Sequence, residues 1–187
     1  MILISSDNEK IECHKIVLAA FSPYFTAMFS SNYIENSTNQ VKMPDTSYKI
    51  LTAIIDYAYS GSLELNLKNV QDVFSVASLL QLDDVIDACT EYMNSRLDAN
   101  NVLSVYLFAN CHQTFELAKT AKEYINKHIT EITNTIEFIE LNDLSLLIQV
   151  LSSDELNIAN EAFILQVIFK WISYSYETRE QHFERNY

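Results

Sequence analysis
The chain has 187 residues, 49% of them hydrophobic and 20% charged, with a single glycine, two prolines and a formal charge of −13. One glycine cannot build a glycine-rich phosphate cradle or a G-x-S-x-G nucleophile elbow, and scarce breakers with abundant Leu, Ile and Ala point to a mostly helical protein rather than an all-β one. Residues 1–97 carry 12 acids and 6 bases and residues 98–187 carry 13 and 6, so docking onto nucleic-acid phosphates or an anionic membrane is electrostatically uphill along the whole chain.

Met1-Ile2-Leu3-Ile4 reads as a buried strand. It is too short for a signal-peptide core, and no apolar run approaches the roughly 18 residues of a membrane-spanning helix. Ser6-Asp7-Asn8-Glu9 is a turn, and the alternation Lys10-Ile11-Glu12-Cys13 makes the second arm of a hairpin. Two short helices follow, Lys15 to Phe21 and Pro23 to Phe29, with Ser22 as N-cap and Pro23 at the favoured first helical position. The polar loop 30–39 carries two apolar residues, Tyr33 and Ile34. A short strand around Val41 and Met43 ends at Pro44. Asp45 or Thr46 is expected to cap the next helix, which puts Ile50, Leu51, Ile54, Ile55, Ala58 and Tyr59 on one face. Leu63, Leu65 and Leu67 alternate with polar residues and read as another strand.

From Val70 onward the pattern is helical throughout. Val70, Val73, Phe74, Ala77 and Leu80 share one stripe; Ile86, Cys89, Met93 and Leu97 share the next, behind an Asp83-Asp84 cap. A domain boundary is placed at the polar run Asp98 to Asn101. Beyond it, Val102, Val105, Tyr106 and Ala109 form one face, and Phe115, Ala118, Ala121, Ile125 and Ile129 another. Residues 131–142 are less regular. Leu144, Leu147, Ile148 and Leu151 form a further stripe. Ser152-Ser153-Asp154-Glu155 fits a capping box. Asn160 and Glu161 open a last helix with Ile164, Val167, Ile168, Trp171 and Ile172, and the tail from Glu177 is mostly polar.

The string Cys13-His14-Lys15-Ile16-Val17-Leu18-Ala19-Ala20-Phe21-Ser22-Pro23-Tyr24-Phe25-Thr26-Ala27-Met28-Phe29 resembles the signature of BTB (POZ) domains. Tyr57-Ala58-Tyr59-Ser60-Gly61 and Ala77-Ser78-Leu79-Leu80-Gln81-Leu82 resemble two further family motifs in the expected order. Asn101-Val102-Leu103, the run Leu151 to Ile158, Asn160-Glu161 and Trp171 resemble the BACK helical domain of Kelch-like proteins. The resemblance implies an α+β BTB fold over residues 1–97, a short three-stranded sheet flanked by helices, and an all-α partial BACK domain over 98–187.

The same resemblance implies a non-enzymatic adaptor that binds cullin-3 and presents substrate proteins for ubiquitination through a carboxy-terminal domain. In the family a hydrophobic-x-Glu motif after the second helix inserts at cullin, and Tyr33-Ile34-Glu35 occupies that place. Ala27, Met28 and Tyr59 match the adjoining surface. Family members begin with a further helix and strand before the position of Met1, so a weakened BTB homodimer is expected. The alternative is an oligomerisation module or decoy that binds cullin or another BTB chain without delivering substrate.

Three widely spaced cysteines (Cys13, Cys89, Cys111) fit reduced thiols in the cytoplasm or nucleus. The neighbours Cys13-His14 and Cys111-His112 lack metal-ligand spacing and a third orienting group, so no metal, cofactor or catalytic residue is assigned. His14 is expected to hydrogen-bond within its own domain. Trp171, alone on an apolar face, is expected in the core.

Overall fold
The computed structural model describes residues 1–30, 39–158, 160, 162–175 and 179. The chain divides into two compact units, Met1–Ser95 and Arg96–Tyr187.

In the first unit β1 (Ile2–Ile4) is the central strand of a three-stranded sheet. It pairs antiparallel with β2 (Lys10–Glu12) and parallel with β3 (Gln40–Lys42), setting Leu3 opposite Ile11 on one side and Val41 on the other. Leu3 and Val41 are buried, as the period-2 alternation requires. The β1–β2 turn is closed by Ser5 N–H to Glu9 O at 3.0 Å, with Asn8 left-handed at φ 62°. Between β2 and β3 lie α1 (Lys15–Phe21) and α2 (Pro23–Ser30). After β3 come α3 (Tyr48–Ser60), α4 (Val70–Leu80) and α5 (Asp83–Ser95). Leu18, Phe25, Leu51, Ile54, Val73, Ala77, Leu80 and Cys89 are fully buried and form the core.

Two local readings of this unit are corrected. Neither Asp45 nor Thr46 caps α3: the N-cap is Ser47, and the free N–H of Tyr48 donates to the Asp7 carboxylate at 2.9 Å, from the β-hairpin 41 residues away. The Ser5 hydroxyl, and then that N–H, hold the Asp7 carboxyl below its ordinary value. Leu63–Leu67 forms no sheet ladder among the described residues. Asn69 draws the segment into a cap instead, accepting from Asn66 N–H at 2.8 Å and donating to Glu64 O at 2.9 Å.

The second unit is helical: α6 (Val102–Cys111), α7 (Phe115–Ile132), α8 (Ile136–Ile139), α9 (Leu144–Leu151) and α10 (Ala162–Tyr174). α6 and α7 form a helical hairpin joined by residues 112–114, and α7 is kinked at His128. Its core holds Leu103, Tyr106, Ala121, Ile125, Ile129, Phe138, Leu147 and Trp171. Phe115, placed on the buried stripe by its spacing, is 78% exposed, and Leu117 is buried in its stead. Ile148 is likewise exposed while Leu146 is buried, because α9 is apolar nearly all round and periodicity does not select the face. The capping box at 152–155 does not form. Glu155 accepts from Asn126 Nδ2 at 2.9 Å, and Asn157 N–H donates to Asn126 O at 2.9 Å, fastening this turn to α7. Asn160 does cap α10, accepting from Phe163 N–H at 3.1 Å; Glu161 lies outside the described residues.

Candidate protein-docking site
The family-signature residues converge on the first unit, where α2 follows α1 after the single residue Ser22. The Ser22 hydroxyl accepts from Phe25 N–H at 3.4 Å, capping α2, and donates to Leu80 O at 2.6 Å, so the same oxygen ties α2 to the end of α4. Phe25 is wholly buried, stacked on Phe29 at 5.8 Å and met edge-on by Tyr24. Burying one such ring is worth about 1.5–3 kcal/mol, which fixes the rotation of α2 about its axis. That rotation leaves Ala27 exposed and Met28 half-buried on the carboxy-terminal half of the helix.

Tyr59 sits on the last turn of α3, which Gly61 ends in a left-handed conformation (φ 68°), its N–H donating to Tyr57 O at 2.8 Å. The helical spacing places Tyr59 with the buried face, yet 49% of it is exposed. Its hydroxyl accepts from the backbone N–H of His14 at 3.0 Å and pairs with His14 Nδ1 at 2.8 Å, the two rings meeting edge-on. The hydroxyl is thus engaged both by the backbone N–H and by the ring nitrogen of His14. Tyr59 therefore offers a partner its ring, while its polar tip is committed.

The next residue, Lys15, places its ammonium 5.6 Å from the ring centroid of Phe29. His14 and Lys15 thus bridge the end of α3 to the end of α2, and bring Tyr59 and the Ala27–Met28 surface to either side of one short segment. This bridge was the part missed in the sequence: the signature contains His14 and Lys15, but neither its spacing nor its charge names a partner 45 residues away. Tyr33, Ile34 and Glu35 lie outside the described residues.

Burial raises the Cys13 thiol and pushes Cys89 up to about 12, so neither supplies thiolate near neutral pH. Cys111 is exposed. Among the described residues no three His, Cys, Asp or Glu side chains gather to hold a metal, and no helix is long and apolar enough to cross a membrane.

Comparison with known proteins agrees with this geometry. The BTB/POZ domain family matches residues 1–97. The chain belongs to that family. A second family, BTB And C-terminal Kelch (BACK), matches residues 102–185, so the second unit is a BACK region. Kelch repeat and BTB domain-containing protein 12 of Homo sapiens is 33% identical over 181 residues, covering 97% of this chain and 29% of the relative. Kelch-like protein 3 of Homo sapiens is 35% identical over 181 residues, 97% of this chain and 31% of the relative. Kelch-like protein 17 of Mus musculus is 35% identical over 177 residues, 95% of this chain and 28% of the relative. The chain spans less than a third of the length of these curated relatives. It is homologous to Kelch-like proteins over nearly its whole length, and its fold is the mixed α+β BTB fold followed by an all-helical BACK region.

Proposed function
We propose that this BTB–BACK chain is a non-catalytic adaptor, cytoplasmic or nuclear, that docks cullin-3 and serves a cullin-RING ubiquitin ligase. Residues 1–97 act as the BTB domain and 98–187 as the BACK domain. A second BTB chain is its other partner, and a carboxy-terminal domain recruits the substrate protein. The observation that carries this reading is the succession of a BTB match and a BACK match along one chain, the order found in Kelch-like adaptors.

Docking is assigned to Tyr33, Ile34 and Glu35, which follow α2, together with Ala27, Met28 and Tyr59. A greasy anchor beside a carboxylate combines buried apolar area with a charge-assisted acceptor. The exposed Tyr59 ring and the Ala27–Met28 surface supply the near-neutral border that keeps water from such an anchor.

Calorimetric titration of the chain with the amino-terminal domain of cullin-3 tests the reading. Saturable binding at micromolar concentration is expected. Tyr33→Ala and Glu35→Ala are each expected to weaken it by about 1–3 kcal/mol. A folded chain that fails to bind ends the proposal, and unchanged affinity in both variants moves the contact off this segment.

A further inference from the structure
His14 stands where β2 gives way to α1, and it meets one oxygen twice. Its backbone N–H donates to the Tyr59 hydroxyl at 3.0 Å, and its ring Nδ1 lies 2.8 Å from the same atom. The His14 carbonyl is engaged as well, accepting from Val17 N–H and Leu18 N–H at 3.1 Å each in the first turn of α1. With its backbone held at both ends, His14 is a firm post against which the Tyr59 side chain leans.

His14 is also the N-cap residue of α1, a place where a polar side chain commonly accepts from the first free N–H groups of its helix. The imidazole makes no such bond. It meets the Tyr59 ring edge-on instead, with centroids 6.0 Å apart. The ring of His14 therefore serves the end of α3 and not the start of its own helix.

Tyr59 has need of such a hold. It is 49% exposed on the last turn of α3, so packing alone leaves its ring rotational freedom. A side chain that is free before binding and fixed afterwards loses entropy, which subtracts from affinity. A ring already anchored by its oxygen loses less, and presents one orientation to a partner from the start.

We propose that His14 is a positioning residue for the docking surface: its imidazole fixes the orientation of the Tyr59 ring and acts on cullin-3 binding through the Tyr59 hydroxyl, not by a contact of its own. The inference rests on the reading that cullin-3 docks at Tyr59, and it adds how that residue is made ready.

A double-mutant cycle on the whole chain, read by calorimetric titration with the amino-terminal domain of cullin-3, tests it. Tyr59→Phe keeps the ring and removes the oxygen. His14→Ala keeps the backbone N–H and removes Nδ1. Each is expected to weaken binding about three- to tenfold, the effect of one hydrogen bond. The double variant should bind no more weakly than Tyr59→Phe alone. Rescue separates positioning from a merely structural role. His14→Asn sets an amide group at the same distance from Cβ as Nδ1 and should recover most of the wild-type affinity, whereas His14→Gln sets it one carbon further out and should not. This contrast stands by itself should His14→Ala fail to fold.

Additive losses in the cycle overturn the proposal, because His14 would then act without the Tyr59 hydroxyl. Undiminished affinity in His14→Ala overturns it too, as does equal affinity in His14→Asn and His14→Gln. A folded wild-type chain that does not bind cullin-3 ends the docking reading and this inference with it. A wild-type chain that binds, with any of the three contrary patterns, ends this inference alone.

Discussion

The two units close their helix ends by different means. In the BTB unit α2 is capped by the residue next to it, Ser22, while α3 and α4 end on the left-handed residues Gly61 and Gln81. Across the fold, Asp7 accepts at the start of α3, Ser22 donates to the end of α4, and Tyr59 accepts from His14 N–H just before α1. In the BACK unit the reach is long and repeated. Glu137 on α8 accepts from Leu103 N–H at 3.3 Å and Ser104 N–H at 2.9 Å, capping α6 from more than 30 residues away. Trp171 Nε1 donates to Leu141 O at 2.8 Å. Arg179 is 3% exposed, and its guanidinium donates to Ile139 O, Trp171 O, Leu141 O and the Asn142 side chain while stacking 4.1 Å over the Trp171 ring. A sheet adds backbone pairing to the first unit's long-range side-chain bonds. The second unit, with no sheet among its described residues, relies on polar side chains that span helices.

The sharpest way to break that comparison is to remove the cation. Arg179→Met keeps an apolar stem over the Trp171 ring but takes the guanidinium donors from Ile139 O and Trp171 O, while Leu141 O keeps its bond from Trp171 Nε1; bonds from a charged donor are worth more than neutral ones. A loss of about 2–4 kcal/mol is expected. Trp171 is the only tryptophan of the chain, so its fluorescence in a urea titration reports on this unit directly. An unchanged midpoint would mean that side-chain bonds do not hold the BACK unit together.

Glu137 sharpens the comparison through pH. Burial raises its carboxyl above the ordinary value, against the lowering effect of the hydrogen bonds from Ser104 and Leu103. An acid whose value is higher in the folded than in the unfolded chain binds protons preferentially when folded. Its contribution is thus most favourable below the unfolded value, about 4.3, and declines as pH rises through the raised folded one. Glu137→Gln should remove that decline, seen as a flatter plot of unfolding midpoint against pH than wild type. Glu137→Ala at neutral pH should instead cost about 1 kcal/mol, the loss of a helix cap. Parallel pH profiles for wild type and Glu137→Gln would show that the cap makes no pH-dependent contribution.

What could be read beforehand follows the same division. The hairpin, α1, α2 with its Ser22 cap, and the α3 core face came from neighbours in sequence: alternation, a Ser-Pro pair, a 3.6-residue stripe. The BACK-region helices were visible too, though Phe115, the first residue of α7, and Ile148, on the largely apolar α9, were assigned to the wrong face. Arg179 could not be read, since it lies in a polar tail and only its placement under Trp171 makes it a buried residue. The candidate docking surface was legible in part. Ala27, Met28 and Tyr59 matched family motifs, but the partnership of Tyr59 with His14 depends on where α3 ends relative to β2, which no local pattern encodes.

Left-handed corners in this chain do not depend on its one glycine: Asn8, Asn39, Gln81 and Gln113 all adopt positive φ. At Gln81 the reason is visible: residue 81 must turn the chain so that its N–H and that of Leu82 cap α4. A non-glycine residue there carries steric cost from its Cβ, on the order of 1 kcal/mol. Gln81→Gly removes that cost but loosens the unfolded chain, so the net gain should be small, about 0.5 kcal/mol in favour of the variant. The measurement is the urea midpoint of the BTB unit followed by amide exchange in α4 and α5. A gain would place the strain in the backbone at this corner. A loss would mean that the Gln81 side chain itself supports the turn, beyond what the backbone bonds of Gln81 and Leu82 to the end of α4 supply.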